Sequence, residues 1–165
     1  MGSIESLSTS GRQASFVDRY VPALLTQAAH LLVGEFADTI RDRGLSVLEW
    51  RVLATLGDGR LVPVGLLARR AVTKQPTLTR LLDRMGQQGL IDRVPAQNDR
   101  RQTLVCITPA GRDVVQELMQ FAEERQASLT SFIGEARMAA LEAELRHIID
   151  TLAAVQARAE RAPLR

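Results

Sequence analysis

Aromatic side chains are scarce in this chain: one Trp, one Tyr and four Phe, 4% of 165 residues. Any core must therefore be built mainly from Leu, Val, Ala and Ile. There is one cysteine, Cys106, which excludes an intramolecular disulfide framework and fits a reducing, cytoplasmic setting. The two histidines, His30 and His147, form no Cys/His cluster with ligand spacing, so no metal site is expected. No apolar run approaches the roughly 18 residues that a membrane span requires. The polar, Ser/Gly-rich stretch Met1–Ser15 lacks a basic segment followed by a hydrophobic one, so it reads as a loose tail rather than a signal peptide. A phosphate-cradling Gly loop and a nucleophile–base arrangement are also missing, which argues against an enzyme and leaves no catalytic residue or cofactor to assign. Carboxylates such as Glu123 and Glu124 fall on a helix surface and need no catalytic explanation.

What remains is a chain with 45% hydrophobic residues whose spacing is mostly helical. Val17, Val21, Leu24, Leu25, Ala28, Leu31, Leu32, Phe36 and Ile40 predict one helix from Phe16 to Arg43, ended by Gly44. Ser46 and Glu49 make a capping-box pattern, with Leu45 and Trp50 at the two hydrophobic-staple positions, so a second helix starts there and stops at Gly57-Asp58-Gly59. A short third helix covers roughly Pro63 to Ala71. After a tight turn at Ala71-Val72-Thr73 comes a fourth, with Thr73 as N-cap, Pro76 in the first turn and an end near Gly86 to Gly89. Then the period shortens: Leu90–Val94 and Thr103–Ile107 read as a β-hairpin with a long polar tip. Thr108-Pro109 opens a long helix to about Phe132, Gly134 breaks it, and a last helix runs from Glu135 to about Ala159. The fold expected is mainly α with a small β-hairpin wing: a winged helix-turn-helix over residues 45–108, helical dimerisation arms over 16–44 and 109–160, and tails at 1–15 and 161–165.

Charge is distributed unevenly. From Arg60 to Arg101 nine basic residues face three acidic ones, a net of +6, while the remainder of the chain is −4. A basic middle on an acidic scaffold is the footprint of a polyanion-binding module. Within it, the fourth helix carries Leu78, Leu81, Leu82 and Met85 as one apolar stripe. Thr73, Thr77, Arg80 and Arg84 form a polar stripe opposite, which Lys74 and Gln75 extend at the N-terminal end. A recognition helix needs this division, because its back packs on the preceding helix while its front enters the major groove. Arg suits guanine, Gln suits adenine, and the methyl groups of Thr77 and Thr79 suit thymine. At the hairpin tip, Arg101 is suited to a narrow minor groove, Asp99 to orienting its guanidinium, and Arg100 to a phosphate.

The stretch from Leu45 to Gly111 resembles the MarR (multiple antibiotic resistance regulator) family. The matching residues are Leu45-Ser-Val-Leu-Glu-Trp-Arg-Val-Leu53, Leu67-Ala68, Thr77-Leu-Thr-Arg-Leu-Leu-Asp-Arg-Met85, Gly89-Leu-Ile-Asp-Arg93 and Asp99-Arg-Arg101, with Val105, Thr108 and Gly111. Pro76 departs from the serine or small residue of the family pattern. The resemblance implies a triangular homodimer on a pseudo-palindromic operator in double-stranded DNA, with recognition helix in the major groove and wing in the minor. It also implies a repressor released by a small aromatic, anionic ligand held between the first, second and fifth helices. Tyr20, His30, Trp50 and Arg51 are the candidate lining residues, combining ring faces with hydrogen-bond donors. The family's peroxide-sensing branch carries its reactive cysteine in the first helix, whereas Cys106 lies in the second wing strand and reads as a small buried hydrophobe.

In the last helix Leu141, Leu145, Ile148, Leu152 and Val155 repeat with the alternating spacing of a helix–helix seam. With the first helix they form the expected dimer contact. The rival reading is a winged-helix adaptor that binds protein partners without an operator, but an adaptor has no need of the Asp99-x-Arg101 pair.

Overall fold

A computed structural model of the chain describes residues 15–96 and 102–161. A one-turn helix, α1 (Phe16–Arg19), precedes α2 (Val21–Asp42). The single helix expected here is broken at Tyr20, whose ψ of 104° is extended. Pro22 explains the break: it has no N–H to offer the carbonyl four residues back, and its ring would collide with that carbonyl. At its other end α2 closes in a Schellman motif. Gly44 adopts φ 75°, its N–H reaches the Arg41 carbonyl at 2.9 Å, and that of Leu45 reaches Ile40 at 3.2 Å.

The next helix, α3 (Val47–Leu56), starts on the expected capping box. Ser46 Oγ accepts from the Glu49 N–H at 3.2 Å, and Glu49 Oε2 accepts from the Ser46 N–H at 2.8 Å. A two-residue strand, β1 (Val62–Pro63), leads into α4 (Val64–Arg70), and a turn through Ala71–Thr73 leads into α5 (Gln75–Gln87). The N-cap of α5 is Lys74 rather than Thr73, and Pro76 sits in the first turn. The hairpin strands are β2 (Ile91–Pro95) and β3 (Thr103–Ile107), and the antiparallel sheet has the order β1-β3-β2. Val105 of β3 lies between Val62 and Arg93.

Thr108 caps α6 (Pro109–Ile133), accepting from the Gly111 N–H at 3.0 Å and donating to the Gly89 carbonyl at 2.7 Å. Gly111 has to be glycine because a Cβ there would overlap the Leu90 carbonyl oxygen. Gly134, at φ 96°, separates α6 from α7 (Glu135–Arg161).

The core lies under the helix-turn-helix. Leu53 and Leu56 of α3, Leu67 of α4, Leu78, Leu82 and Met85 of α5, and Val105 of β3 are all fully enclosed. Ile40 from the end of α2 and Val115 and Leu118 from the start of α6 join the same cluster. The arms differ: Val21, Leu24 and Leu31 of α2 and Ile149, Leu152 and Val155 of α7 stand exposed.

Candidate nucleic-acid interface

α5 is a two-faced helix. Leu78, Leu81, Leu82 and Met85 are buried, whereas Gln75, Thr77, Thr79, Arg80 and Arg84, and Lys74 at its cap, are exposed. Burial of four large side chains fixes the rotation of the helix, so the polar set is turned outward by packing rather than by chance. Thr73, in the turn before it, is half-buried.

That turn is strained. Val72 adopts φ 55° with its side chain 75% exposed. The Val72 N–H bonds the Arg69 carbonyl at 3.1 Å and the Thr73 N–H bonds Ala68 at 3.0 Å, so α4 ends in the same Schellman geometry as α2. The left-handed position, glycine in α2, is here a β-branched residue. Arg51, from α3, makes a long 3.5 Å contact from Nη1 to the Ala71 carbonyl at the end of α4.

Two ion pairs hold α5 in place. Glu49, 7% exposed, accepts from Arg84 Nη2 at 3.0 Å while its other oxygen takes the two Ser46 donors. Burial by itself would raise this carboxyl, but the hydrogen bonds from Ser46, with the bond and charge of Arg84, outweigh it and keep the group below its ordinary range. Arg84 is thus tied back to α3 at one nitrogen even though its side chain is largely exposed. On the wing side, Arg93 of β2 bonds Asp83 at 2.7 Å and the Thr79 carbonyl at 3.0 Å.

Between the start of α4, α5 and the hairpin lies a groove of about 540 Å³ lined by Gly65, Leu66, Arg69, Gln75, Thr79, Arg93 and Gln102. It brings together Gln75 and Thr79, two of the residues singled out from sequence. It also adds Arg69 and Gln102, which sequence reasoning did not assign; the excess of basic residues was the signal that could have pointed to Arg69. Asp99, Arg100 and Arg101 lie outside the described residues; the strands that carry them are joined at their outer end by the Ala96 N–H to the Gln102 carbonyl at 2.9 Å.

The four side chains expected around a ligand are not gathered into one cavity. Tyr20 stacks on Phe16 at 5.0 Å, His30 is exposed on α2, and Arg51 faces the turn. Trp50 meets Phe36 edge-on at 5.1 Å. Tyr20 precedes Phe36 by sixteen residues, most of them helical, or about 24 Å along a helix axis. A groove of about 460 Å³ does open between α2 and α6, lined by Leu32, Phe36, Ala122, Arg125, Gln126, Ser128, Leu129 and Phe132. Trp50 touches its wall through Phe36. Cys106 is half-buried on β3, its Sγ 4.0 Å from the Asp92 carbonyl. Among the described residues no group of three His, Cys, Asp or Glu could hold a metal ion, and no helix is long and apolar enough to cross a membrane.

A profile of the MarR family matches residues 43–102. The transcriptional regulator FarR of Neisseria gonorrhoeae is 28% identical over 131 residues, 78% of this chain and 90% of that protein. Among solved structures, the MarR family transcriptional regulator SPO1453 from Silicibacter pomeroyi is similar with 32% identity and a TM-score of 0.73, covering 84% of this chain and 98% of that one. BpsR of Bordetella bronchiseptica, whose DNA binding is regulated by 6-hydroxynicotinic acid, is similar with 29% identity and a TM-score of 0.64, over 78% and 97% of the two chains.

Proposed function

This chain belongs to the MarR family of transcriptional regulators, and from that premise we propose that it is a cytoplasmic homodimer that binds a pseudo-palindromic operator in double-stranded DNA. The observation that carries the reading is the division of α5: its apolar face is spent on the core, so its hydrogen-bonding face, in the most basic part of the chain, has no intramolecular task large enough to account for it. Residues 45–108 are the DNA-binding unit. Thr73, Lys74, Gln75, Thr77, Thr79 and Arg80 meet bases and nearby phosphates of the major groove. Arg84, held by Glu49, directs its free donors to a phosphate, and the tip residues Asp99, Arg100 and Arg101 serve the minor groove. Residues 16–44 and 109–160 supply the dimer contact, where the exposed apolar side chains of α2 and α7 are covered by a second copy.

The chain acts as a repressor released by a small aromatic acid. The groove between α2 and α6 is the better candidate site than the set Tyr20, His30, Trp50 and Arg51, because it offers the rings of Phe36 and Phe132 and the cation of Arg125 on one concave surface. The regulation of BpsR by an aromatic carboxylate supports that ligand class.

Band shifts on a duplex from the protein's own promoter region test the reading. Retardation at low ionic strength, with log affinity falling steeply against log salt, is expected, because several phosphates are neutralised. An aromatic carboxylate that raises the melting temperature of the protein should also release the duplex. No retardation at low salt would contradict the proposal.

A further inference from the structure

Arg93 closes the Gly89-Leu-Ile-Asp-Arg93 motif, and its position gives it a specific task. It leaves β2 two residues beyond Ile91, the buried residue that roots the hairpin. The foot of the hairpin is fixed by other bonds: Leu90 N–H to the Met85 carbonyl at 3.0 Å, and Thr108 N–H to the Leu90 carbonyl at 3.1 Å. Farther out, the Arg93 guanidinium crosses to α5 and grips one helical turn at two points, the Thr79 carbonyl at 3.0 Å and the Asp83 carboxylate at 2.7 Å. Two donors of a planar fork, spent on groups four residues apart, fix direction as well as distance. The Arg93 side chain is only 30% exposed although it is charged and on a projecting hairpin.

We propose that Arg93 is a positioning residue that sets the angle of the wing relative to α5, so that major-groove and minor-groove readers arrive in register. The proposal rests on the DNA-binding reading above. A site built from two elements works only when their separation is held to about 0.5 Å, and a hairpin anchored at its foot alone would swing at its tip. The clamp also accounts for Asp83, one of three acids in the basic segment: a carboxylate near phosphates opposes binding, and here it is spent on holding Arg93. The same clamp forms part of the wall of the groove that contains Gln75 and Thr79.

The obvious alternative, Arg93 as a phosphate ligand, predicts the opposite sign for one substitution. Removing the charge of Asp83 would free a phosphate-binding arginine and tighten binding, whereas it releases a positioning arginine and weakens selective binding. The experiment therefore takes the full-length chain, Arg93→Met and Asp83→Asn, with the best duplex that the wild-type chain selects from a random pool and a random-sequence duplex as control. Each substitution should weaken binding to the selected duplex about tenfold while barely changing the control, and the double substitution should be no worse than either alone. The salt slope should stay unchanged, where loss of a phosphate contact lowers it by about 0.9. In the DNA-free protein, amide hydrogen exchange over residues 91–96 and 102–107 should accelerate in both variants. Tighter binding by Asp83→Asn, or unaltered exchange in the free protein, overturns the proposal. If the wild-type chain selects no duplex, it is the regulator reading that fails, and the exchange measurement still decides whether Arg93 holds the wing.

Discussion

Val72 and Glu49 are the two single residues whose chemistry reaches furthest. Three helix ends in this fold share one hydrogen-bond pattern, and the left-handed position is Gly44, Val72 and Gly89 in turn, with φ of 75°, 55° and 70°. A non-glycine residue there costs about 1–2 kcal/mol, offset by the roughly 0.5–1 kcal/mol of backbone entropy that glycine loses on folding. Since the Val72 side chain is exposed and contributes no core contact, Val72→Gly should stabilise the fold by up to about 1 kcal/mol. Denaturant midpoints at fixed protein concentration measure this, and a lower midpoint would show that Val72 earns its strain through a contact. Glu49 makes a pH prediction. Its folded value lies below the ordinary 4.5, so its charged form contributes stability that is present above 4.5 and lost as pH falls through the folded value. Glu49→Gln should cost about 1–2 kcal/mol at neutral pH, with the gap to wild type closing as the solution is acidified below 4.5. A gap independent of pH would assign the loss to packing instead.

At the scale of the element, α5 connects fold to function. Arg80 is exposed on it, and Arg80→Ala should weaken binding to a selected duplex by about 1–3 kcal/mol and relax base preference at one position in each half-site. Equal losses on random DNA would mean a phosphate contact. The elements differ in how legible they were. The capping box at Ser46 and Glu49 and the Thr108 cap are local devices, written within four residues, and both form as the spacing predicts. The break at Tyr20 was masked because apolar periodicity runs straight through it, although Pro22, seventh in a helix begun at Phe16, fits only the first turn of a helix that restarts at Val21. Strand β1 is two residues long and exists only because β3 offers it an edge, a pairing across more than forty residues that no local pattern carries. The groove between α2 and α6 was illegible for the same reason: Leu32 and Phe132 lie a hundred residues apart, and only the packing of α6 on α2 brings their helices together. The two faces of α5, by contrast, could be read directly, since one helix repeat separates them.

For the whole molecule, the arms are the open account. Exposed Val21, Leu24, Leu31, Ile149, Leu152 and Val155 form apolar faces that a lone protomer leaves in water. A second copy covering them would place two α5 helices on one face of a duplex. Leu152→Glu puts a charge into that seam and should shift the protein toward monomer in analytical ultracentrifugation, with much weaker operator binding. An unchanged dimer would move the interface elsewhere. Selection of duplexes from a random pool, followed by footprinting, tests the central claim most directly. The account predicts a two-fold symmetric sequence whose half-site centres lie about one helical turn, 10–10.5 base pairs, or a multiple of it apart. Enrichment of no sequence, or of one with no symmetry, would contradict it.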